Sequence, residues 1–518
     1  MRTVVVLAVL CATVAVAGQQ PPPSAAPFRV EETTIAQIHD AMKAGRLTCR
    51  ALVDAYLRRI DAYDKNGPGI NAIVQINPDA QKQADDLDRR FAQGGSTGPL
   101  HCIPAIVKDN FETIGLQSAA GSLSLKGFVS NKDAFLVKRI KDAGAIVIAK
   151  SNMAEFAFSP YETVNSILPG YTRNPYALDR VTAGSSGGTA AAVAANFGAI
   201  GLGSDTGNSI RGPSSHQALA GIRSTMGLTS RAGVVPLNLL ADIAGPMTRT
   251  LEDAVTVLQV IVGEDPDDPA TAASRGRAIP DYRQALKRDA LKNARIGILR
   301  QAYRPETADP EVVDVFMAAV EDLKRAGAAI VDPVQVELSG VQRPQGTGSC
   351  GGFKYDINRY LAAQGDRVPV HSLDEIIRSR RFHPSIEQRL RSAQEGTENG
   401  PDTPACKAET DYREAFRAAV AKTMDAQTLD AFVYPTWSFP PRLIGDLNTP
   451  HGDNSQVFSP TTGWPAINVP MGYTRGTLPI GITFFGRAWS EPTLIALAFS
   501  YEQATQHRHP PASAPPLR

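Results

Sequence analysis

The sequence has few of the residue patterns that build metal or redox centres. Its eight histidines are scattered and form neither a His-x-x-x-His nor a His-Glu-x-x-His pair, and its five cysteines include no Cys-x-x-Cys pair. These spacings are the usual signatures of zinc and dithiol sites. We therefore predict no metal, and we expect no cofactor.

The chain also lacks an excess of either charge. It has 53 Lys and Arg residues against 52 Asp and Glu residues, which leaves a net charge of +1 over 518 residues. There is no long Lys/Arg cluster that could displace counterions from a phosphate backbone. The charge pattern therefore argues against a nucleic-acid partner.

Long apolar runs are missing except at the beginning of the chain. Arg2 precedes an apolar run over residues 3–14, and the small residues Ala15-Val16-Ala17 follow it, before a polar, Pro-rich stretch from Gln19 to Pro27. This order is typical of a secretory signal peptide. A retained membrane anchor is the weaker alternative, because a spanning helix needs roughly 20 apolar residues.

We therefore predict a signal peptide at residues 1–17, cleaved after Ala17, and a linker at 18–30. The mature protein is expected in the periplasm or outside the cell, without stable membrane insertion. Cleavage removes Cys11 and leaves four cysteines, which permit three pairings. Cys350 and Cys406 flank one polar segment, so a disulfide between them is one hypothesis and buried free thiols are the other.

Composition and periodicity predict a soluble α/β enzyme. The chain is 43% hydrophobic and 20% charged, and one large domain or two moderate ones would fit its length. Residues 31–95 have helical spacing, with Thr34 and Thr48 as candidate N-caps. Further along, predicted helices at 134–143, 188–195, 311–326 and 491–505 alternate with predicted strands at 103–107, 145–149, 199–203, 295–299, 329–331, 430–434, 466–469 and 480–485.

This alternation favours a single large α/β/α domain over residues 31–518. We expect a central mixed, mostly parallel twisted sheet with helices on both faces. The polar region 342–408 is interpreted as an insertion over the edge of the sheet. It could shape a substrate entrance, or it could be a surface excursion without contact to the site, which we slightly favour.

Two serines and one lysine are the candidates for catalysis. Ser185 and Ser209 lie in Gly-rich stretches, and Lys108 ends an apolar run. The residues around Ser209, Gly207-Asn208-Ser209-Ile210-Arg211, do not form a Gly-x-Ser-x-Gly elbow, and a serine hydroxyl needs a base to act as a nucleophile. Lysine can be that base if burial lowers its pKa from about 10.4 to near 7 or 8.

These motifs resemble those of the amidase signature family, and the resemblance covers nearly all of the mature chain. It implies that family's α/β/α fold, with a signature core over about 96–260, and the hydrolysis of amides. The resembling stretches are Ile103-Pro104-x-x-Val107-Lys108-Asp109-Asn110, Thr172 to Tyr176, Gly184-Ser185-Ser186-Gly187-Gly188, Gly203 to Pro213, Ala244-Gly245-Pro246-Met247, Pro465-Ala466, Val469 to Gly472, Leu478 to Gly481 and Glu491.

The resemblance also implies roles for individual residues. Ser209 falls at the position of the nucleophile, Ser185 at that of a bridging serine that follows a cis peptide bond, and Lys108 at that of the general base. The oxyanion donors would be the backbone N–H groups of the nucleophile loop, contributed by Thr206, Gly207, Asn208 and Ser209. Asn208 departs from the Gly-Gly-Ser that is common in the family, and Asn tolerates unusual φ values.

Four further residues have supporting roles by the same resemblance. Ser186 would add a hydrogen bond, although a small residue in a tight turn would serve as well. Asp205 and Arg211 are expected to brace the loop as an ion pair, or to make independent contacts. Phe158 falls near the wall of the acyl pocket, but an aromatic residue in an apolar run is more often part of the core.

The function expected from this sequence is that of an exported amidase that releases ammonia or an amine from a small-molecule amide. One alternative is the glutaminase-type subunit of a tRNA-dependent amidotransferase, against which the signal peptide argues. Others are an esterase or carbamate hydrolase and a catalytically silent binding protein. We expect a monomer or a homodimer. The substrate does not follow from the motifs, because variable regions line the pocket.

Overall fold

The structure is a computed structural model that describes residues 28–344, 350–396, 398, 400–452 and 456–517. The predicted signal peptide and residues 18–27 of the predicted linker lie outside these ranges. Within the described residues, no helix combines the length and the apolar character that crossing a membrane requires.

One sheet organises the described part of the chain. Its eleven strands follow the spatial order β1-β3-β2-β4-β6-β5-β10-β11-β9-β7-β8. In chain order the strands are β1 Ile73–Ile76, β2 Pro104–Lys108, β3 Ile146–Ser151, β4 Ile200–Asp205, β5 Ala220–Arg223, β6 Ile243–Thr248, β7 Arg295–Leu299, β8 Ala329–Val334, β9 Ala431–Pro435, β10 Ala466–Thr474 and β11 Leu478–Phe485.

The predicted single α/β domain with a large mixed sheet is confirmed, but the expectation of a mostly parallel sheet is wrong. Among the described strands, four neighbouring pairs are parallel and six are antiparallel. Parallel neighbours need a crossover of a dozen or more residues. The turn between β10 and β11 is too short for one, so these two long strands form an antiparallel hairpin in the sheet.

Helices pack on this sheet: α5 against β2 and β4, α7 against β6, and α14 against β10. The α-helices of the described residues are α1 Ile35–Lys43, α2 Cys49–Ile60, α3 Ala80–Gly94, α4 Phe135–Asp142, α5 Gly187–Ala194, α6 Arg211–Ser215, α7 Leu251–Ile261, α8 Pro310–Arg325, α9 Phe353–Gln364, α10 Leu373–Ser379, α11 Glu387–Glu395, α12 Pro404–Ala426, α13 Phe458–Thr462 and α14 Glu491–Thr505.

The N-terminal helices begin where the sequence predicts. The hydroxyl of Thr34 accepts the N–H of Gln37 at the start of α1, and that of Thr48 accepts the N–H of Ala51 at the start of α2. Such caps satisfy backbone donors that have no partner within the helix. These helices pack in one hydrophobic cluster with β1 to β4, so they cover the half of the sheet that carries the candidate site.

The insertion contacts the body of the domain. Its helices α9, α10 and α11 share one hydrophobic cluster with residues that follow β2 and β3, including Phe156 and Phe158. The ring of Phe353 at the start of α9 packs edge-on against Phe158, with 4.6 Å between centroids. The insertion therefore borders a residue that the sequence places near the site.

The four described cysteines form two disulfides. Cys350–Cys406 is the hypothesised bond, and it joins the start of the insertion to α12. The second bond, Cys49–Cys102, joins α2 to the segment before β2. The alternative of four free thiols is therefore wrong.

Removal of the Cys49–Cys102 bond should destabilise the domain. The bond spans a sequence separation of 53 residues, and releasing a cross-link of this length costs about 2–4 kcal/mol in the free energy of unfolding. We expect that loss for the double variant Cys49→Ala/Cys102→Ala in urea denaturation. Cys350→Ala/Cys406→Ala is the matched comparison, with a separation of 56 residues. Non-reducing peptide mapping that finds free thiols in the wild type would contradict the pairing.

Candidate active site

Lys108 and the loop that carries Ser209 lie at the same end of the sheet, at the carboxyl ends of β2 and β4. Strands β2 and β4 are parallel neighbours, so their carboxyl ends lie side by side, where α/β sheets commonly bind ligands. β2 ends at Lys108 and β4 ends at Asp205. The segment 206–210 then leads from β4 into α6, and it carries Ser209, whose exposed fraction is 4%.

Three serine hydroxyls surround the amine of Lys108. Its Nζ lies 2.7 Å from Ser185 Oγ, 2.9 Å from Ser186 Oγ and 2.9 Å from Ser204 Oγ. A charged ammonium has three N–H donors and could serve all three oxygens, whereas a neutral amine has only two and a lone pair. In the neutral state one hydroxyl can therefore donate its proton to the nitrogen.

Burial favours that neutral state. Lys108 has no exposed surface, and removal from water penalises the charged form of an amine. Burial lowers the pKa of Lys108 from 10.5 to about 7, although the charges of Asp205 and Asp242 act to raise it. At neutral pH a large fraction of the amine can therefore accept a proton.

The turn that carries Ser185 is packed tightly against its surroundings. The peptide bond between Gly184 and Ser185 is cis, at the position that the family resemblance implies. A Cβ atom on Gly184 would overlap the carbonyl oxygen of Ser159, and one on Gly188 would overlap that of Asn152. The glycines on either side of the serine pair are therefore required by close backbone approach.

Asp205 fixes the end of the nucleophile loop. Its carboxylate accepts the N–H of Ile210 at 3.1 Å, and it forms fully buried ion pairs with Arg211 at 3.1 Å and Arg223 at 3.0 Å. Burial alone would raise the pKa of Asp205, but the two guanidinium groups outweigh it and hold the pKa at about 2. The expected pair of Asp205 and Arg211 is thus present, within a larger cluster.

The Asn208 side chain is directed into the protein. Asn208 has no exposed surface, and its amide nitrogen and the ring of Trp437 lie where a Cβ atom on Gly212 would be placed. Its φ is not in the left-handed region. The expectation that tolerance of unusual φ values explains this residue is therefore wrong, and the space left by Gly212 is the reason that the side chain fits.

The other predicted residues have different surroundings. Ser186 Oγ donates to the carbonyl oxygen of Ser204 at 3.1 Å in addition to its contact with Lys108, so it has the hydrogen-bonding role and not only a steric one. Phe158 packs with Phe156 and Phe353 and has an exposed fraction of 8%. It therefore belongs to an aromatic cluster, and it is not among the hydrogen-bond partners of Lys108.

Sequence reasoning missed three residues of this site. Ser204 contacts Lys108, Arg223 pairs with Asp205, and Asp242 accepts a hydrogen bond from the hydroxyl of Thr206. Ser204 lies inside a resembling stretch, which was a signal for it. Within the described ranges, no group of three or more His, Cys, Asp or Glu side chains is arranged to hold a metal ion.

Comparison with known proteins finds one family along most of the chain. Residues 51–495 match the model of the family described as Amidase. The chain is 34% identical over 509 residues to a probable amidase of Arabidopsis thaliana, which covers 93% of this chain and 92% of that protein. It is 32% identical over 492 residues to a glutamyl-tRNA(Gln) amidotransferase subunit of Acinetobacter baumannii, which covers 91% and 96%.

A solved structure with a similar fold also has a related sequence. The X-ray structure of native peptide amidase from Stenotrophomonas maltophilia matches with a TM-score of 0.84 and 36% identity. The match covers 94% of this chain and 99% of that one. The similarity in fold therefore extends over nearly the whole length of both chains.

The Asp205 cluster yields a prediction for stability. The variant Asp205→Asn leaves Arg211 and Arg223 buried without their carboxylate, and breaking a buried pair of this kind costs about 3–5 kcal/mol. We expect that loss in the free energy of unfolding, measured by urea denaturation at pH 7. The matched control Asp281→Asn removes a largely exposed ion pair with Arg283, which water and salt screen, so stability should hardly change. Equal losses in the two variants would contradict the role of the buried cluster.

Proposed function

Because this chain belongs to the amidase family, whose members hydrolyse carbon–nitrogen bonds, we propose that it cleaves linear carboxylic amides through an acyl-enzyme on Ser209. The observation that carries this proposal is the buried amine of Lys108, which lies 2.7 Å from Ser185 Oγ. The carboxylate of the substrate is released together with ammonia or an amine.

The acylation step follows from the chemistry of these groups. Neutral Lys108 accepts the hydroxyl proton of Ser185, and Ser185 in turn accepts the proton of Ser209 while Ser209 Oγ attacks the amide carbon. The tetrahedral intermediate collapses when the C–N bond breaks. The leaving amine takes the proton back through Ser185, which returns Lys108 to its neutral form.

The loop before the nucleophile would stabilise the oxyanion. The N–H of Ile210, next to Ser209, is held by Asp205, so the loop has a fixed end. The proposed donors are the N–H groups of Thr206, Gly207, Asn208 and Ser209, and losing one such donor typically costs about 10² to 10³ in rate. Water then attacks the acyl-enzyme by the same proton route and releases the carboxylate.

The substrate is proposed to be a small amide, with peptide amides as the first class to test. Its support is the likeness to a peptide amidase over nearly the whole chain. The second candidate function, that of the glutaminase-type amidotransferase subunit, rests on the similarity to the Acinetobacter baumannii protein. Esterase and carbamate hydrolysis are side reactions that the same acyl-enzyme would permit.

Export to the periplasm or the outside of the cell is also proposed. It is supported by the signal-like pattern of residues 1–17 and by two disulfides, Cys49–Cys102 and Cys350–Cys406. Disulfides of this kind persist in oxidising compartments and are rare in the cytosol. An amidotransferase subunit would work in the cytosol, so both observations favour the amidase.

A hydrolysis screen tests the proposed function. The wild type should release ammonia or amine from at least one class among peptide amides, anilides, simple amides, carbamates and esters. Ser209→Ala removes the nucleophile, and we expect a loss of about 10⁴-fold or more in kcat, the order seen when a catalytic serine is deleted. Glutaminase activity that appears only with a tRNA-dependent partner complex would favour the second candidate. Full activity of Ser209→Ala would refute the mechanism.

The pH profile tests the role of Lys108. The amine is a base only when neutral, so kcat/KM should rise with pH through about 7, the pKa of Lys108, and level off above it. Lys108→Ala should lose this activity. Circular dichroism at each pH serves as the control for unfolding, and a profile that is flat from acid to alkaline pH in folded protein would exclude a lysine base.

A further inference from the structure

Asp242 lies directly across from the nucleophile loop. β6 begins at Ile243 and pairs in antiparallel register with Asp205, the last residue of β4, so Asp242 and Thr206 are the next residues on the two chains. The hydroxyl of Thr206 donates to Asp242 Oδ1 at 2.5 Å. Asp242 thereby joins the loop before β6 to the first residue after β4.

The other carboxylate oxygen of Asp242 is held by its own loop. Oδ2 accepts the N–H of Leu237 at 2.9 Å and that of Asn238 at 3.0 Å. The side chain is buried, with an exposed fraction of 7%. One carboxylate oxygen of Asp242 is therefore held by the backbone of its own loop, and the other contacts Thr206.

Asp242 also shares a small cavity with the surroundings of the lysine. The cavity is lined by Ser204, Thr206 and Asp242 together with Asn110. Ser204 Oγ lies 2.9 Å from Lys108 Nζ and accepts a hydrogen bond from Asn110 at 3.0 Å. The carboxylate thus borders the same small cavity as Ser204, and Arg231 and several apolar side chains complete its lining.

The negative charges of Asp205 and Asp242 both raise the pKa of Lys108. The two carboxylates have different surroundings. Asp205 is paired with both Arg211 and Arg223, which compensate its charge. Asp242 accepts its hydrogen bonds from neutral groups. Burial raises the pKa of Asp242, which the charge of Arg231 opposes, and Arg231 is itself paired with Asp268 at 2.5 Å.

Two further charged groups face this region. Arg223 donates to the carbonyl oxygen of Ala241, next to Asp242, and its positive charge is influenced by that of Asp242. Asp356 on α9 is the second group, and the negative charge of Asp242 contributes to raising its pKa, after burial.

We propose that Asp242 is a positioning residue that holds Thr206 in the oxyanion loop and places a negative charge at the cavity that it shares with Ser204, a hydrogen-bond partner of the Lys108 amine. The inference rests on the proposed function, because it assigns two effects on the same reaction to one carboxylate. The first effect determines the maximal rate, and the second determines the pH at which the lysine becomes a base.

The variant Asp242→Asn separates charge from shape. Its amide oxygen can still accept from Thr206, but the negative charge is lost, so the ammonium of Lys108 is less stabilised. We expect the acid limb of kcat/KM to move to lower pH by about 0.5–1 unit, the size expected when one nearby charge is removed. The plateau should also fall, by about 10-fold and so by less than the loss of an oxyanion donor, because the amide NH2 group then replaces the oxygen that accepts the N–H groups of Leu237 and Asn238.

Variants of Thr206 test the positioning effect alone. Thr206→Val removes the hydroxyl and keeps the charge of Asp242, so the plateau should fall by about 10-fold while the acid limb stays in place. Thr206→Ser keeps the hydroxyl and should recover most of the rate that Thr206→Val loses. If Asp242→Asn does not fold, this pair still tests the proposal, and a wild-type plateau in Thr206→Val would overturn it.

Asp253→Asn is the matched control. Asp253 is also a buried carboxylate, with an exposed fraction of 2% and a pKa that burial raises to about 6, but it lies in the first turn of α7 and accepts the N–H of Ile35. The acid limb of kcat/KM for Asp253→Asn should lie at the same pH as that of the wild type.

The outcomes distinguish this inference from the proposed function. Labelling of Ser209 by an organophosphorus reagent, followed as a function of pH, reports the base without requiring the substrate. If the wild type neither hydrolyses amides nor labels at Ser209, the proposed function fails. If the wild type labels but the acid limb of folded Asp242→Asn is unmoved, the inference is overturned, because a merely structural carboxylate gives that result.

Discussion

The rest of the structure depends on the burial of one amine. Lys108 has no exposed surface, and a lysine in that position is tolerated only if polar partners surround its nitrogen or if it gives up its charge. The protein does both: three serine hydroxyls lie within 2.9 Å of Nζ, and burial lowers the pKa to about 7. The tight Gly184–Ser185 turn brings Ser185 and Ser186 to that nitrogen, and the parallel pairing of β2 with β4 brings Ser204 to it.

Local signals predicted much of this fold. β7 has the predicted bounds of Arg295 and Leu299, and Thr34 and Thr48 begin their helices as caps because capping depends on neighbouring residues only. Strand direction depends on partners that are distant in the sequence, and this is why the mostly parallel sheet was a wrong expectation. The same holds for Arg223, which lies 18 residues from its partner Asp205 in a stretch with no motif.

The insertion has a polar overall composition, but it contains a helix whose apolar residues follow a regular spacing. Residues 342–408 look irregular by composition, yet Phe353, Ile357 and Leu361 recur at intervals of four residues and form the buried stripe of α9. This spacing places them on one helix face. A periodicity count within the segment would have predicted that the helix packs on the body of the domain, whereas its contact with Phe158 follows only from the tertiary structure.

The aromatic contact between Phe353 and Phe158 has a consequence for redesign. The nucleophile loop is tied to Asp205, Arg223 and Asp242, so a change in it disturbs several buried charges at once. The cluster of Phe156, Phe158 and Phe353 is apolar, and Ala157, between the first two, lines the same cavity as Asp242. Libraries that vary ring size at Phe353 would therefore alter the shape of the site's surroundings while the proton-transfer residues keep their geometry.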